Sequence, residues 1–161
     1  MMKVLRWAGI IFAIVFIGMQ FIGPAKTNST IDETRTIQAR TNMTPEVAAI
    51  LERSCGDCHS NKTNWPWYSN VAPASWFVIN HVNQGRRIMN FSDWARYDQR
   101  REKILLDRIC AEVEDGGMPL ESYTFIHHGA KLSKDDIQIL CDWARQESRR
   151  IASPQPVAAN P

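Results

Sequence analysis

The stretch Cys55-Gly56-Asp57-Cys58-His59 constrains this chain more than any other. Two cysteines separated by two residues and followed at once by histidine have the spacing of covalent haem attachment. The reason is geometric: each thiol adds across one vinyl group of the porphyrin, the macrocycle is held over a short turn of backbone, and the next side chain lies beneath the iron. Cys55 and Cys58 are therefore candidate attachment points, and His59 is the candidate proximal ligand. The pattern alone leaves two other chemistries open, because a thioredoxin-like redox pair and half of a zinc site use the same cysteine spacing.

The N-terminus narrows the setting. Lys3 and Arg6 precede an uncharged run, Trp7 to Gly23, that is rich in Ile and Phe and is stopped by Pro24. As a helix this run reaches about 25 Å, slightly short of a ~30 Å hydrocarbon core, and Val4 and Leu5 extend it if Arg6 snorkels. Residues 1–24 thus read as a membrane anchor or a signal segment. The exit Phe21-Ile22-Gly23-Pro24-Ala25-Lys26 lacks an Ala-x-Ala-like cleavage site, which favours an uncleaved single-pass anchor. Basic residues ahead of the segment put its start in the cytoplasm and the rest of the chain in an oxidising compartment, where cysteine-linked haem is assembled. A formal charge of +2 with no Lys/Arg run argues against nucleic acid as a partner.

Residues 25–43 are polar, rich in Thr and without an apolar period, so they read as a linker between membrane and domain. A haem-binding domain is expected over 44–150. Thr44-Pro45-Glu46 has the features of a helix start, and Val47, Ile50, Leu51 and Ser54 follow at helical spacing into the cysteine motif. Trp65-Pro66-Trp67-Tyr68-Ser69 reads either as a wall of rings against a porphyrin or as a loop over an ordinary core. Pro73 opens a helix through Trp76, Phe77, Ile79 and Val82, carrying His81, with Arg86 and Arg87 near its end as propionate partners or solvated charges. Ser92 is expected to cap a short segment to Tyr97. A longer helix from about Gln99 to Val113 turns Ile109, Cys110 and Val113 inward and Arg108 outward, and Gly116-Gly117 ends it. The last helix starts at Ser133, with Asp136 completing a capping box, and runs to about Arg150. Residues 151–161, with three prolines, read as a disordered tail. No segment alternates as a strand does, so the fold class is all-α.

A second axial ligand needs a lone pair. Met118 is the first choice, because it follows Gly116-Gly117, precedes Pro119 on an irregular loop and offers a soft thioether. His81 and His127 are the alternatives, and an open sixth position is a further possibility. The order helix, Cys-x-x-Cys-His, Met-Pro loop and capped helix resembles a class I cytochrome c. More specifically, Cys55 to Asn61, Thr63 to Ser69, Ala72 to Trp76, His81-Val82, Asn90-Phe91-Ser92, Met118-Pro119-Leu120, Tyr123, His127 and Lys131-Leu132-Ser133 together resemble the bacterial haem-binding-domain family of membrane-anchored c-type haem proteins. The resemblance covers about residues 44 to 146. It implies one covalent haem c on Cys55 and Cys58 with His59 axial, and its pattern includes His81, Met118 and His127 alike. His128 stands where the family often has proline.

Cys110 and Cys141 fall on inward faces of the two long helices, where they would pair if those faces meet or otherwise act as small buried hydrophobes. The expected protein is a cytochrome c-like helical domain on the periplasmic or outer face of the inner membrane, carrying single electrons to a redox partner that the sequence does not identify. A haem sensor or peroxidase-like enzyme with a labile sixth ligand is one alternative, and a thiol oxidoreductase using Cys55 and Cys58 is another. No catalytic triad, phosphate loop or paired-carboxylate motif is present to support acid/base enzymology.

Overall fold

The computed structural model describes residues 1–153. Among them the chain forms helices α1 (Met2–Met19), α2 (Ile37–Arg40), α3 (Pro45–His59), α4 (Ala74–Ile88), α5 (Gln99–Glu114), α6 (Glu121–Thr124) and α7 (Lys134–Ala152), with no strand. Short 3-10 turns at Glu33–Arg35, Trp67–Asn70, Phe91–Arg96 and His128–Ala130 join them. The molecule is therefore all-α, as its lack of alternating segments implies.

Helices start where a short polar side chain can satisfy a free backbone N–H. Thr44 accepts from Val47 N and Pro45 occupies the first turn of α3. Asp98 accepts from Arg101 N at 2.7 Å to begin α5. Ser133 and Asp136 form the reciprocal capping box of α7. At the end of α5 the chain reverses at Gly116, whose φ of 71° is open to glycine at little cost. The turn before α5 departs from expectation: Asn90, not Ser92, caps it, and Ser92 is buried with its Oγ accepting from Asn61 N at 2.9 Å.

The core lies where α5 packs along α7 and α7 meets α3. Leu105, Leu106, Ile109 and Val113 face Leu140, Cys141 and Ala144, with Val47, Ile50 and Leu51 of α3 completing the cluster. Each fully buried Leu or Ile contributes about 1.5–3 kcal/mol relative to exposure. The inward faces meet closely enough that Cys110 and Cys141 form a disulfide.

Residues 25–43 are not a free tether. Asp32 caps the Glu33–Arg35 turn, Thr36 caps α2, and Ile37 is completely buried in the main core. Arg35 pairs with Asp93 at 2.7 Å. Asp32 and Thr36 act as caps, and one isoleucine anchors the segment, which is why no apolar period marks it. At the other end, Ile151 and Ala152 complete α7. The remainder of the expected tail, from residue 154, lies outside the described residues.

Candidate functional site

Two helices are brought unusually close at the cysteine motif. A Cβ built on Gly85 of α4 would lie 2.5 Å from the carbonyl oxygen of Cys58 and 3.3 Å from its Cβ, so only glycine permits this crossing. Beside it opens a cavity of about 330 Å³, within the usual size of ligand sites. Cys55, Cys58 and His59 line it from α3, His81, Gln84 and Ile88 from α4, Leu105 and Ile109 from α5, and Met118, Leu120 and Tyr123 from the loop and turn that follow.

His59 is buried, and its Nδ1 lies 3.0 Å from the carbonyl oxygen of Met89 at the end of α4. With Nδ1–H donating to that carbonyl, Nε2 carries the ring's free lone pair, and the bond orients the imidazole as outer partners of metal-bound histidines do. Burial lowers the imidazole below its ordinary value despite the opposing Met89 bond, which favours the neutral, ligating form. Burial also pushes the Cys55 thiol up to about 12 and the Cys58 thiol up to about 11. Reactive redox pairs have the opposite shift.

The candidate sixth ligands separate into two groups. Met118 and His81 both line the cavity. Met118 is fixed through its own N–H, which donates to the Glu112 carbonyl at 3.0 Å. His81 packs edge-on against Phe77 with ring centroids 4.2 Å apart. His127 does not line the cavity: its Nε2 is 2.7 Å from the Tyr68 hydroxyl, and its ring stacks on Tyr123 at 4.4 Å.

The aromatic segment is likewise engaged elsewhere. Trp65, Trp67 and Tyr68 are not part of the cavity wall; Tyr68 holds His127, and Trp67 is exposed. Tyr123 donates to Asp57 Oδ2 at 2.7 Å, while Asp57 Oδ1 accepts from Asn64 N at 2.8 Å. Asp57, inside the cysteine motif, therefore ties α6, which follows the Met118 loop, to the end of α3 that carries the thiols. Burial, then the Asp57 bond, raises the Tyr123 hydroxyl above its ordinary value and keeps it a donor.

Arg86 has neither of its expected roles. Its guanidinium donates to the Ser60 and Thr27 carbonyls, Asn28 Oδ1 and Thr63 Oγ1, at 2.6–2.8 Å, and so clamps the N-terminal segment to the loop after His59. Arg108 is exposed, outward as its helical position implies, and it also borders the cavity beside Glu112. Its spacing of three from Leu105 and one from Ile109 was the available signal, since a residue flanking an apolar stripe can border a site as readily as solvent.

α1 is 18 residues long, with a mean hydropathy of 1.8 and none of it buried, so it is long and apolar enough to cross a membrane. No curated protein and no solved structure matches the chain. A family model described as a haem-binding domain matches residues 14–146, from the second half of α1 to the last turns of α7. The apolar cavity, its paired thiols and its neutral imidazole fit that description, and the chain belongs to the haem-binding-domain family.

Proposed function

We propose that this chain is a membrane-anchored, mono-haem c-type electron carrier, held by α1 on the periplasmic or outer face of the inner membrane. The observation that carries the reading is the convergence of Cys55, Cys58, His59 and Met118 on one apolar cavity, with the His59 Nδ1 already committed to Met89. Cys55 and Cys58 would hold the haem covalently, His59 would be its proximal ligand and Met118 its distal one. When bound, the iron supplies one-electron redox chemistry, and a Met/His pair favours a high potential suited to a carrier.

The protein's own contribution is placement. Gly85 lets α4 approach the cysteine motif, Met89 fixes the tautomer and direction of His59, and the Asp57–Tyr123 bond ties α6, which follows the Met118 loop, to the cysteine motif. Leu51, Leu105 and Ile109, all buried, exclude water from the lining. Arg108 is the rim cation suited to the propionates, because Arg86 does not line the cavity and gives four of its N–H groups to other backbone and side-chain oxygens.

His81 supports a second reading. It lines the same cavity, and a bis-His or labile sixth position would suit a low-potential carrier or a haem sensor. The raised thiols speak against the thiol oxidoreductase alternative.

The test is production of the full chain with a cytochrome c maturation system, followed by denaturation, extraction with acidic solvent and optical spectroscopy. The expected result is haem that stays with the polypeptide and a methionine-to-ferric-iron charge-transfer band that vanishes in Met118→Ala. Extractable haem overturns the covalent reading. Covalent haem with a band-free spectrum that responds to His81→Ala moves the distal ligand to His81.

A further inference from the structure

The chain leaves no slack between α1 and the helical domain. Gln20, the residue that caps α1, bonds both peptide groups of Ala72: its Oε1 accepts from Ala72 N at 2.9 Å and its Nε2 donates to Ala72 O at 3.3 Å. The Trp76 indole N–H donates to Ile22 O, Gly23 lies against the same indole, and Lys26 bonds Asn70. The domain is thus fastened to α1 at the first residue beyond the helix.

An 18-residue helix reaches about 27 Å, so α1, even with Lys3 and Arg6 snorkelling from its first turns, falls some 3 Å short of a ~30 Å hydrocarbon layer. Phe21 and Ile22, 84% and 71% exposed, supply the missing length. What is bonded to them shares their depth. Around this junction Trp67 is 78% and Phe77 59% exposed, with Val71 between them in sequence. Val71 lies between Asn70 and Ala72, and Phe77 follows Trp76; Asn70, Ala72 and Trp76 all bond the junction, and Trp67 opens the turn that Asn70 ends. Exposed apolar side chains carried by such segments mark an interaction surface, and tryptophan is favoured where hydrocarbon gives way to headgroups.

We propose that Trp67, Val71 and Phe77, beside Phe21 and Ile22 at the edge of the hydrocarbon, lie in the headgroup layer of the bilayer that α1 spans. The domain then rests on the membrane in one fixed orientation. Phe77 also packs against His81, so the α4 wall of the cavity stands immediately above this layer. This inference depends on α1 being a membrane span, which the experiment tests separately.

The full chain is reconstituted into phosphatidylcholine vesicles containing an apolar, photoactivatable carbene precursor, irradiated, and mapped by mass spectrometry. Ile104 of α5, apolar and 44% exposed but outside this face, is the internal control. The expected result is strong labelling of α1 together with labelling of residues 67–77 several-fold above that of the Ile104 peptide. Labelling of α1 with residues 67–77 at the Ile104 level overturns the docked face and leaves the anchor intact. An unlabelled α1 overturns both.

Discussion

Gly85→Ala tests the helix crossing on which the site is built. In an unobstructed helix this change stabilises by about 0.5–1 kcal/mol, because alanine loses less backbone freedom on folding than glycine. At position 85 the new methyl would lie 2.5 Å from the Cys58 carbonyl oxygen, about 0.9 Å inside the 3.4 Å at which ordinary contact begins. The obstructing atoms belong to backbone and cannot rotate aside, so α3 and α4 must separate. Overpacking of this kind costs about 1–3 kcal/mol, which offsets the propensity gain and leaves a net loss of up to about 2.5 kcal/mol. The movement falls on the Cys58-His59 turn and on the end of α4, whose Met89 carbonyl holds His59. Urea unfolding of the full chain should therefore show a lower midpoint, and the haem spectrum should shift in the same variant. Gly129→Ala, where nothing lies within 4 Å of the built Cβ, is the matched control and should be neutral or slightly stabilising. A Gly85→Ala protein as stable as that control, with an unchanged spectrum, would refute the close crossing.

Other outcomes follow from single interactions. Tyr123→Phe removes the donor to Asp57 Oδ2 and should cost about 1–2 kcal/mol, with a weakened methionine–iron band as its spectroscopic sign. Partial burial acts to raise the Asp136 carboxyl, but bonds from Ser133 and Arg53 together hold it below its ordinary 3.8. A depressed folded value means stability that is present above that pH and lost as acid protonates the group. Asp136→Asn should therefore cost about 1 kcal/mol near neutrality, and the gap to the parent in pH-dependent urea titrations should close below about pH 4. Reducing the disulfide, which closes a separation of 31 residues, should remove about 3.5 kcal/mol in the chain-entropy account, measured as a lower urea midpoint in reductant. Serine at both Cys110 and Cys141 should lower the midpoint similarly and remove its dependence on reductant.

What the sequence determined by itself was whatever short-range chemistry dictates. Thr44-Pro45, the Ser133/Asp136 box and Gly116 announce helix ends because caps and reversals act over three or four residues. The stripes of α5 and α7 announce an all-helical core for the same reason, and the Cys55–His59 spacing suffices to name a candidate haem motif. Tertiary structure alone decided which distant groups meet. Met118 and His81 line the cavity while His127 is held by Tyr68; Arg108 borders it while Arg86 binds the N-terminal segment. Ile37 enters the core from a stretch that looked like solvent-borne linker, and the Cys110–Cys141 bridge required two helix faces to come together. Such contacts join positions tens of residues apart, and their free energies depend on burial and approach distance, neither of which is encoded in local spacing. Gly85 shows the division most clearly: as sequence it weakens a helix, and as structure it is the only residue that lets α4 reach the cysteine motif.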